Sequence, residues 1–490
     1  MNLILITADE MRADCTGFGG HPLRPTPCLD RIAAKSVLCS HHFTQHGKCV
    51  PSRASMLTGR YSHTDGSRAI NHECTIPDGA PNLHLALKRL GYETAFFGHN
   101  HTHENLLNGK NGKGENIADY HSYSEEHFAE LNNRTWPVPA QSLFPPPAPD
   151  PCIETSCITD PITGFCDENK AAQAIHYLTH VRDRSRPFYL HLNLGNPHPP
   201  YRVEEPFFSM FDRGEVEPYP ISLPKNAPLP LRAMRGRRGG DKMTDSTARE
   251  LLAVYLGMIA KVDSLIGRVL DAVEKEGLFE NSLVIFTSDH GDFAGQYGLP
   301  EKWDTCMQDC LLRIPMILCA PGLKPSCFDG LSEHVDIPPT VLDLLGVAPE
   351  PEWGIHGTSL IKQMNGGQSK DFVFADGGHE DAMIRRFNTP VTQTLTDGTT
   401  VPSTQGKQLT YSEEPQSMSR TKMVRSRDWK LVVRLAGGNE LYHLPSDPFE
   451  MNNLYGHSEH ATISAHLMEA LVRWSLRTDT DRPFLTQVGA

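Results

Sequence analysis

The sequence has no apolar run approaching the ~20 residues that span a bilayer, and it carries no internal repeat. Its start, Met1-Asn2, leads straight into Leu3-Ile4-Leu5-Ile6-Thr7, a stretch too short and too early for a secretory signal. These absences predict a cytoplasmic protein without a membrane anchor. An excess of basic residues is also missing: 46 Lys and Arg stand against 59 Asp and Glu, a formal net charge of -13. That balance excludes a general nucleic-acid or membrane-surface binder. It leaves room for an anionic substrate, because charge local to a site outweighs the total. Cysteine is absent after Cys327, and the twelve cysteines in the chain follow no regular framework. They are expected to be reduced thiols. Cys152, Cys157 and Cys166 cluster, as do Cys306 and Cys310, but neither group has the partners of a structural zinc site.

At 490 residues the chain can bury a large core over about two to four domains. Leu3–Thr7 and Leu283–Thr287 read as buried parallel strands. Each runs into acids, Asp9-Glu10 after the first and Asp289-His290 after the second. Ligands of open α/β sheets gather at that edge. Further strands are expected over Val37–Phe43, Thr94–Phe97, Phe188–Leu194 and Leu311–Ile317. Helices are expected from Pro27 to Lys35, Leu83 to Leu90, Ala171 to Val181, Thr247 to Glu276 and Val335 to Gly346. Residues 104–166 and 201–244 read as long irregular loops, the second with Arg232, Arg235, Arg237 and Arg238. A Gly-Gly-Gln-Ser-Lys linker at 366–370 precedes antiparallel strands and a closing helix over Ala461–Leu476. This divides the chain into an α/β part, 1–370, and a smaller C-terminal part, 371–490.

The most informative stretch is Cys49-Val50-Pro51-Ser52-Arg53, continuing to Leu57-Thr58-Gly59-Arg60. Pro51 suits a first helical turn, where its missing N–H costs nothing, and Gly59 suits a helix end. Cys49 would then sit at a helix N-terminus, with Arg53 one turn on along the same face. A reactive sulfur, a fixed cation and a helix terminus make a candidate nucleophile or anion site.

Cys-x-Pro-Ser-Arg followed by Leu-Thr-Gly-Arg resembles the signature of the type I sulfatases of the alkaline phosphatase superfamily. The resemblance covers nearly the whole chain. It implies an α/β fold in which a large, mainly parallel mixed sheet is sandwiched by helices, beside a smaller C-terminal subdomain on an antiparallel sheet. It also implies that a separate maturation enzyme oxidises Cys49 to formylglycine, whose hydrated aldehyde attacks sulfur. Asp9, Glu10, Asp289 and His290, with residue 49, would hold one divalent cation. Calcium is the family's usual ion; the histidine shifts the set slightly toward manganese, and magnesium also suits mostly oxygen ligands. Glu10 departs from the family's usual Asp-Asp pair.

The same resemblance implies roles for four more residues. His101 matches the histidine of the family's Gly-Lys-x-His motif, which binds sulfate, and would take the proton that releases it. His99 stands where lysine is expected, so a group titrating near ~6.5 replaces one charged to about pH 10. As a cation, it would bring an early loss of activity on the alkaline side. His198, in Asn196-Pro197-His198-Pro199-Pro200, and Lys302 match groups that contact sulfate and protonate the leaving oxygen. The implied partner is a small anionic sulfate ester, a carbohydrate sulfate by the broad prior. Whether the chain forms a homo-oligomer stays open. A phosphonate monoester or phosphodiester hydrolase on the same scaffold is the alternative, followed by a non-catalytic anion-binding relative.

Overall fold

Alternate residues of the first strand, Asn2–Ala8, face two different cores. Leu3 and Leu5 pack with Ala54, Met56 and Leu57, whereas Ile4 and Ile6 pack with Leu252, Leu256 and Ile259. A strand covered on both faces needs apolar side chains at every position, which is why this run shows no alternation. The computed structural model describes residues 1–65, 76–103, 118–121, 141–142, 154–158, 167–380, 384, 392–394, 400–402, 410 and 412–479. Most of the stretch 104–166 lies outside these residues, as do Cys152, Cys166 and the side chain of Cys157.

Asn2–Ala8 lies inside a nine-stranded sheet, parallel to Phe188–Asn193 on one side and to Ser282–Ser288 on the other. Glu93–Gly98 continues the parallel order beyond Phe188–Asn193. Met316–Cys319 turns antiparallel between Ser282–Ser288 and Val37–Phe43. One face of the sheet is covered by the 31-residue helix Asp245–Lys275, whose apolar residues dominate the larger core. The other is covered by the helix Cys49–Thr58 and by Ile337–Leu344. The expected α/β sandwich is therefore present.

A separate four-stranded antiparallel sheet follows, in the order Val373–Gly377, Thr421–Arg425, Trp429–Arg434 and Glu440–His443. The helix Ala461–Thr478 packs on it through Leu467, Leu471 and Trp474. The same cluster contains Tyr61 and Val335, so this unit shares a core with the end of the Cys49 segment.

Several expectations need correction. Leu311–Ile317 is not one strand. A short helix, Asp309–Leu312, is followed by Arg313–Ile314 and Met316–Cys319, split at Pro315, which has no N–H for a ladder. The stretch 201–244 contains the strand Tyr201–Glu204 and the helix Leu229–Arg237. Its arginines are largely committed within the fold: Arg238 is fully buried against Glu301 at 2.8 Å, Arg235 pairs with Asp241 and Arg237 with Glu413. Lys370, read as linker, forms ion pairs with Glu333 and Asp336. The eight described cysteines are free thiols, Cys306 and Cys310 among them. Among the described residues, no helix is long and apolar enough to cross a membrane.

Candidate active site

The C-terminal ends of three neighbouring parallel strands and one helix N-terminus meet at a single buried spot. Asn2–Ala8 delivers Asp9, and Ser282–Ser288 delivers Asp289 and His290. Phe188–Asn193 ends at Asn193, and Cys49 is the first residue of the helix Cys49–Thr58. That helix starts and stops as its residues dictate. Pro51 lies in the first turn, and Gly59 closes it at φ 68°, with its N–H on the carbonyl of Ser55. Ser52 fixes the helix to the sheet, donating through Oγ to the carbonyl of Asp289 at 2.5 Å.

Arg53 ties the strand ends together. Its Nε donates to Oδ2 of Asp289 at 2.9 Å, and Nη2 to Oδ2 of Asp9 at 3.1 Å. Nη1 reaches Oγ1 of Thr7 at 3.3 Å and Oδ1 of Asn193. The guanidinium is fully buried. A planar cation with five donors suits four acceptors spread over three strands, which a lysine would not satisfy. No motif in the sequence marks Thr7 or Asn193 as a partner of Arg53. The one signal for Asn193 is a polar residue closing an apolar strand.

Sγ of Cys49 lies 3.3 Å from Nε2 of His290 and 3.6 Å from Oδ1 of Asp9. Ligand atoms of Asp9, Cys49, Asp289 and His290 all lie within 4.8 Å of one another. Burial raises the Asp9 carboxyl, but Arg53, with His198 and Lys302 behind it, outweighs burial and holds it well below its usual value. Asp289 is pushed up by burial, with Asp9 adding to the push against Arg53. Burial and then Lys302 hold His290 well below its ordinary value, so its imidazole is neutral, and its Nδ1 is directed at the carbonyl of Gly291 at 2.9 Å. Two buried carboxylates thus share one guanidinium beside a neutral imidazole and a sulfur. Among the described residues Arg53 is the one fixed cation in direct contact with both carboxylates, Lys302 acting from further off, and the O,O,N,S donor set fits a divalent cation.

Glu10 stands apart from this group. Its backbone has φ 72°, unusual for a residue with a Cβ. The turn sends its N–H to Oδ1 of Asp289 at 2.9 Å and its carboxylate the other way. Oε2 accepts from Nζ of Lys302 at 2.6 Å and lies 3.6 Å from Nε2 of His198. Oε1 is buried and meets no donor among the described residues. Glu10 therefore belongs to a second group with Asp9 and His198, rather than beside Asp289 and His290. Burial opposes the charge of Lys302, but Cys49, Glu10, Asp9 and Glu301 around it keep it cationic. Burial and Lys302 push His198 down to about 4, and its Nδ1 is directed at the carbonyl of Pro199.

His99 and His101 stack with ring centroids 5.6 Å apart. The carbonyl of His99 accepts from Nδ2 of Asn193, whose Oδ1 serves Arg53. Gly98 makes this approach available: at φ 130°, a Cβ would come within 1.9 Å of the Asn193 carbonyl oxygen. Burial, then Lys170 and His101, lower His99 to about 3. It is neutral near pH 7 and does not replace lysine as a cation. His103 turns away, with Nε2 on Asn82 at 3.1 Å. Lys48, next to Cys49, is buried 3.3 Å from Asp304, a pair not read from the sequence.

The Sulfatase family model matches residues 1–347. The multifunctional alkaline phosphatase superfamily protein PehA of Trinickia caryophylli is 25% identical over 522 residues, covering 97% of this chain and 95% of that protein. An arylsulfatase of Clostridium perfringens is 26% identical over 423 residues, covering 74% of this chain and 79% of that protein. Among solved structures, the phosphonate monoester hydrolase of Agrobacterium radiobacter superposes with a TM-score of 0.75 at 21% identity, covering 97% and 96% of the two chains. The strand-end acids and the Cys49 helix lie within the matched residues, and the chain belongs to the sulfatase family.

Proposed function

We propose that the protein is a sulfuric ester hydrolase that removes sulfate from an organic ester, a carbohydrate sulfate being the substrate class, with formylglycine made from Cys49 and one divalent cation. The observation that carries this reading is the buried meeting of Asp9, Asp289, His290 and Cys49 around Arg53. Asp9, Asp289, His290 and residue 49 would hold the cation, calcium by family habit, with manganese and magnesium as alternatives. Such an ion polarises a sulfate oxygen and lowers the pKa of a bound hydroxyl. Conversion of Cys49 by a maturation enzyme would supply a geminal diol as the nucleophile.

The remaining work belongs to this chain's own side chains. Arg53 keeps the strand ends in register and shares the charge at residue 49. Lys302 retains its proton at neutral pH and would give it to the departing oxygen. His198 lacks a second proton there, so it would orient the ester as a hydrogen-bonding partner. His101 would accept the proton whose loss frees sulfate. His99, neutral, would contact the terminal oxygens by hydrogen bonding alone. Glu10 would position Lys302 rather than bind the ion.

A phosphonate monoester or phosphodiester hydrolase is the second reading. It is favoured by His290 in the acid cluster and by the missing cation at residue 99, and relatives named for that chemistry share the fold. Side-by-side assay of an aryl sulfate and an aryl phosphonate ester, with chain made beside the maturation enzyme, tests the choice. Faster aryl sulfate hydrolysis supports the sulfatase reading. A higher kcat/KM on the phosphonate would replace it with the second. Mass spectrometry of the Cys49 peptide should show aldehyde in place of thiol.

A further inference from the structure

Away from the catalytic spot, a cavity of about 240 Å³ opens between the central sheet and the C-terminal antiparallel sheet. Four arginines line it: Arg12, Arg313, Arg425 and Arg427. Three already have acids. Arg12 holds Asp14 at 2.7 Å, Arg425 holds Asp309 at 3.2 Å and Arg427 holds Asp329 at 2.7 Å. Arg313, half-buried, forms no close ion pair among the described residues, although its charge helps hold Asp14 and Asp309 below their usual values. Its Nε is buried and meets no acceptor among the described residues. A buried guanidinium N–H left unmatched is unfavourable unless something supplies an acceptor. The local field agrees: burial, then Arg427, Arg313 and Arg425, push His41 on the cavity wall down to about 4.

Arg313 comes from the central sheet, Arg425 from the end of the strand Thr421–Arg425, and Arg427 from the turn beyond it. Guanidinium groups converging from separate elements call for acceptors in several directions. A carboxylate offers two oxygens in one plane, whereas a tetrahedral oxyanion offers four around a centre. The volume is below the range of drug-sized ligand pockets, so the occupant is small. We propose that this cavity binds a tetrahedral oxyanion, inorganic phosphate or sulfate, on Arg313 with Arg425 and Arg427, and so ties the two sheets together. The site is independent of the chemistry at residue 49.

The test is a thermal-melt titration of the full chain with potassium phosphate, sulfate and acetate, each against potassium chloride at equal ionic strength. Phosphate or sulfate should raise the melting temperature saturably, and the anion with the lower half-saturation is the ligand. Arg313→Gln should weaken that half-saturation by about tenfold or more, the worth of a charge-assisted contact. Arg427→Gln, at a half-exposed position, should weaken it several-fold and keeps the test open if Arg313→Gln does not fold. An anion bound only at the catalytic spot would stabilise both variants as it does the wild type. Identical curves for wild type and variants, acetate as effective as phosphate, or no effect beyond chloride would overturn the proposal.

Discussion

Nζ of Lys302 lies 2.6 Å from Oε2 of Glu10, and both side chains are buried. Burial pushes the Glu10 carboxyl well above its usual value against the pull of Lys302, which itself stays cationic; the 2.6 Å contact favours the ion-paired form. Removing one member of such a pair leaves a charge without its partner, typically a loss of about 3–5 kcal/mol. Glu10→Ala should therefore lower unfolding free energy by about 3 kcal/mol in a urea titration. The double variant Glu10→Gln/Lys302→Met removes both charges and should be more stable than Glu10→Ala. A double variant less stable than the single would show that the pair does not act as a unit.

Arg53→Lys should cost activity about a hundredfold or more, because an ammonium cannot serve Asp9, Asp289, Thr7 and Asn193 together. Steady-state kinetics on an aryl sulfate would measure it. A variant within threefold of wild type would contradict the bridging role.

His99 is held near 3, so it is neutral throughout the working pH range. The early alkaline loss expected of a cationic histidine at this position should not occur. His99→Gln should raise KM while leaving both limbs of the pH–kcat/KM profile in place. A displaced limb in that variant would give His99 a titrating role.

Buried histidines outside the catalytic group set the acid limit of stability. His334 is lowered to about 3 and His356 to about 4, in each case chiefly by burial. The folded values lie below the ordinary ~6.5, so the unfolded chain binds more protons between them. The stabilisation is complete above about pH 6.5 and is lost as pH falls toward 4. Melting temperature should be flat from pH 8 to 7 and drop steadily below 6.5. A flat profile down to pH 4.5 would count against this.

What the sequence revealed and what it hid divide by range. The strand before Asp9 is legible because burial on both faces demands the unbroken run Leu3-Ile4-Leu5-Ile6. The Cys49 helix is legible because Pro51 and Gly59 mark its ends. The partner of Glu10 is not legible. It depends on a left-handed backbone at residue 10 and on a lysine 292 positions away, and neither leaves a local trace. Asn193 is hidden for the same reason: its value lies in joining Arg53 to His99 across three segments. The roles of the arginines of 232–238 are not legible either, because composition cannot tell a paired, buried Arg238 from an exposed one. Pro315 is the one local mark of the break between Arg313–Ile314 and Met316–Cys319.

Metal content bears most directly on the central claim, that Asp9, Asp289, His290 and residue 49 form one cation site. Elemental analysis of the purified chain after dialysis should find about one divalent ion per chain, and Asp289→Asn should lose it while keeping the wild-type circular dichroism spectrum. A wild-type chain without a divalent ion after incubation with calcium, manganese or magnesium, or a folded Asp289→Asn variant that retains a full equivalent, would contradict the account.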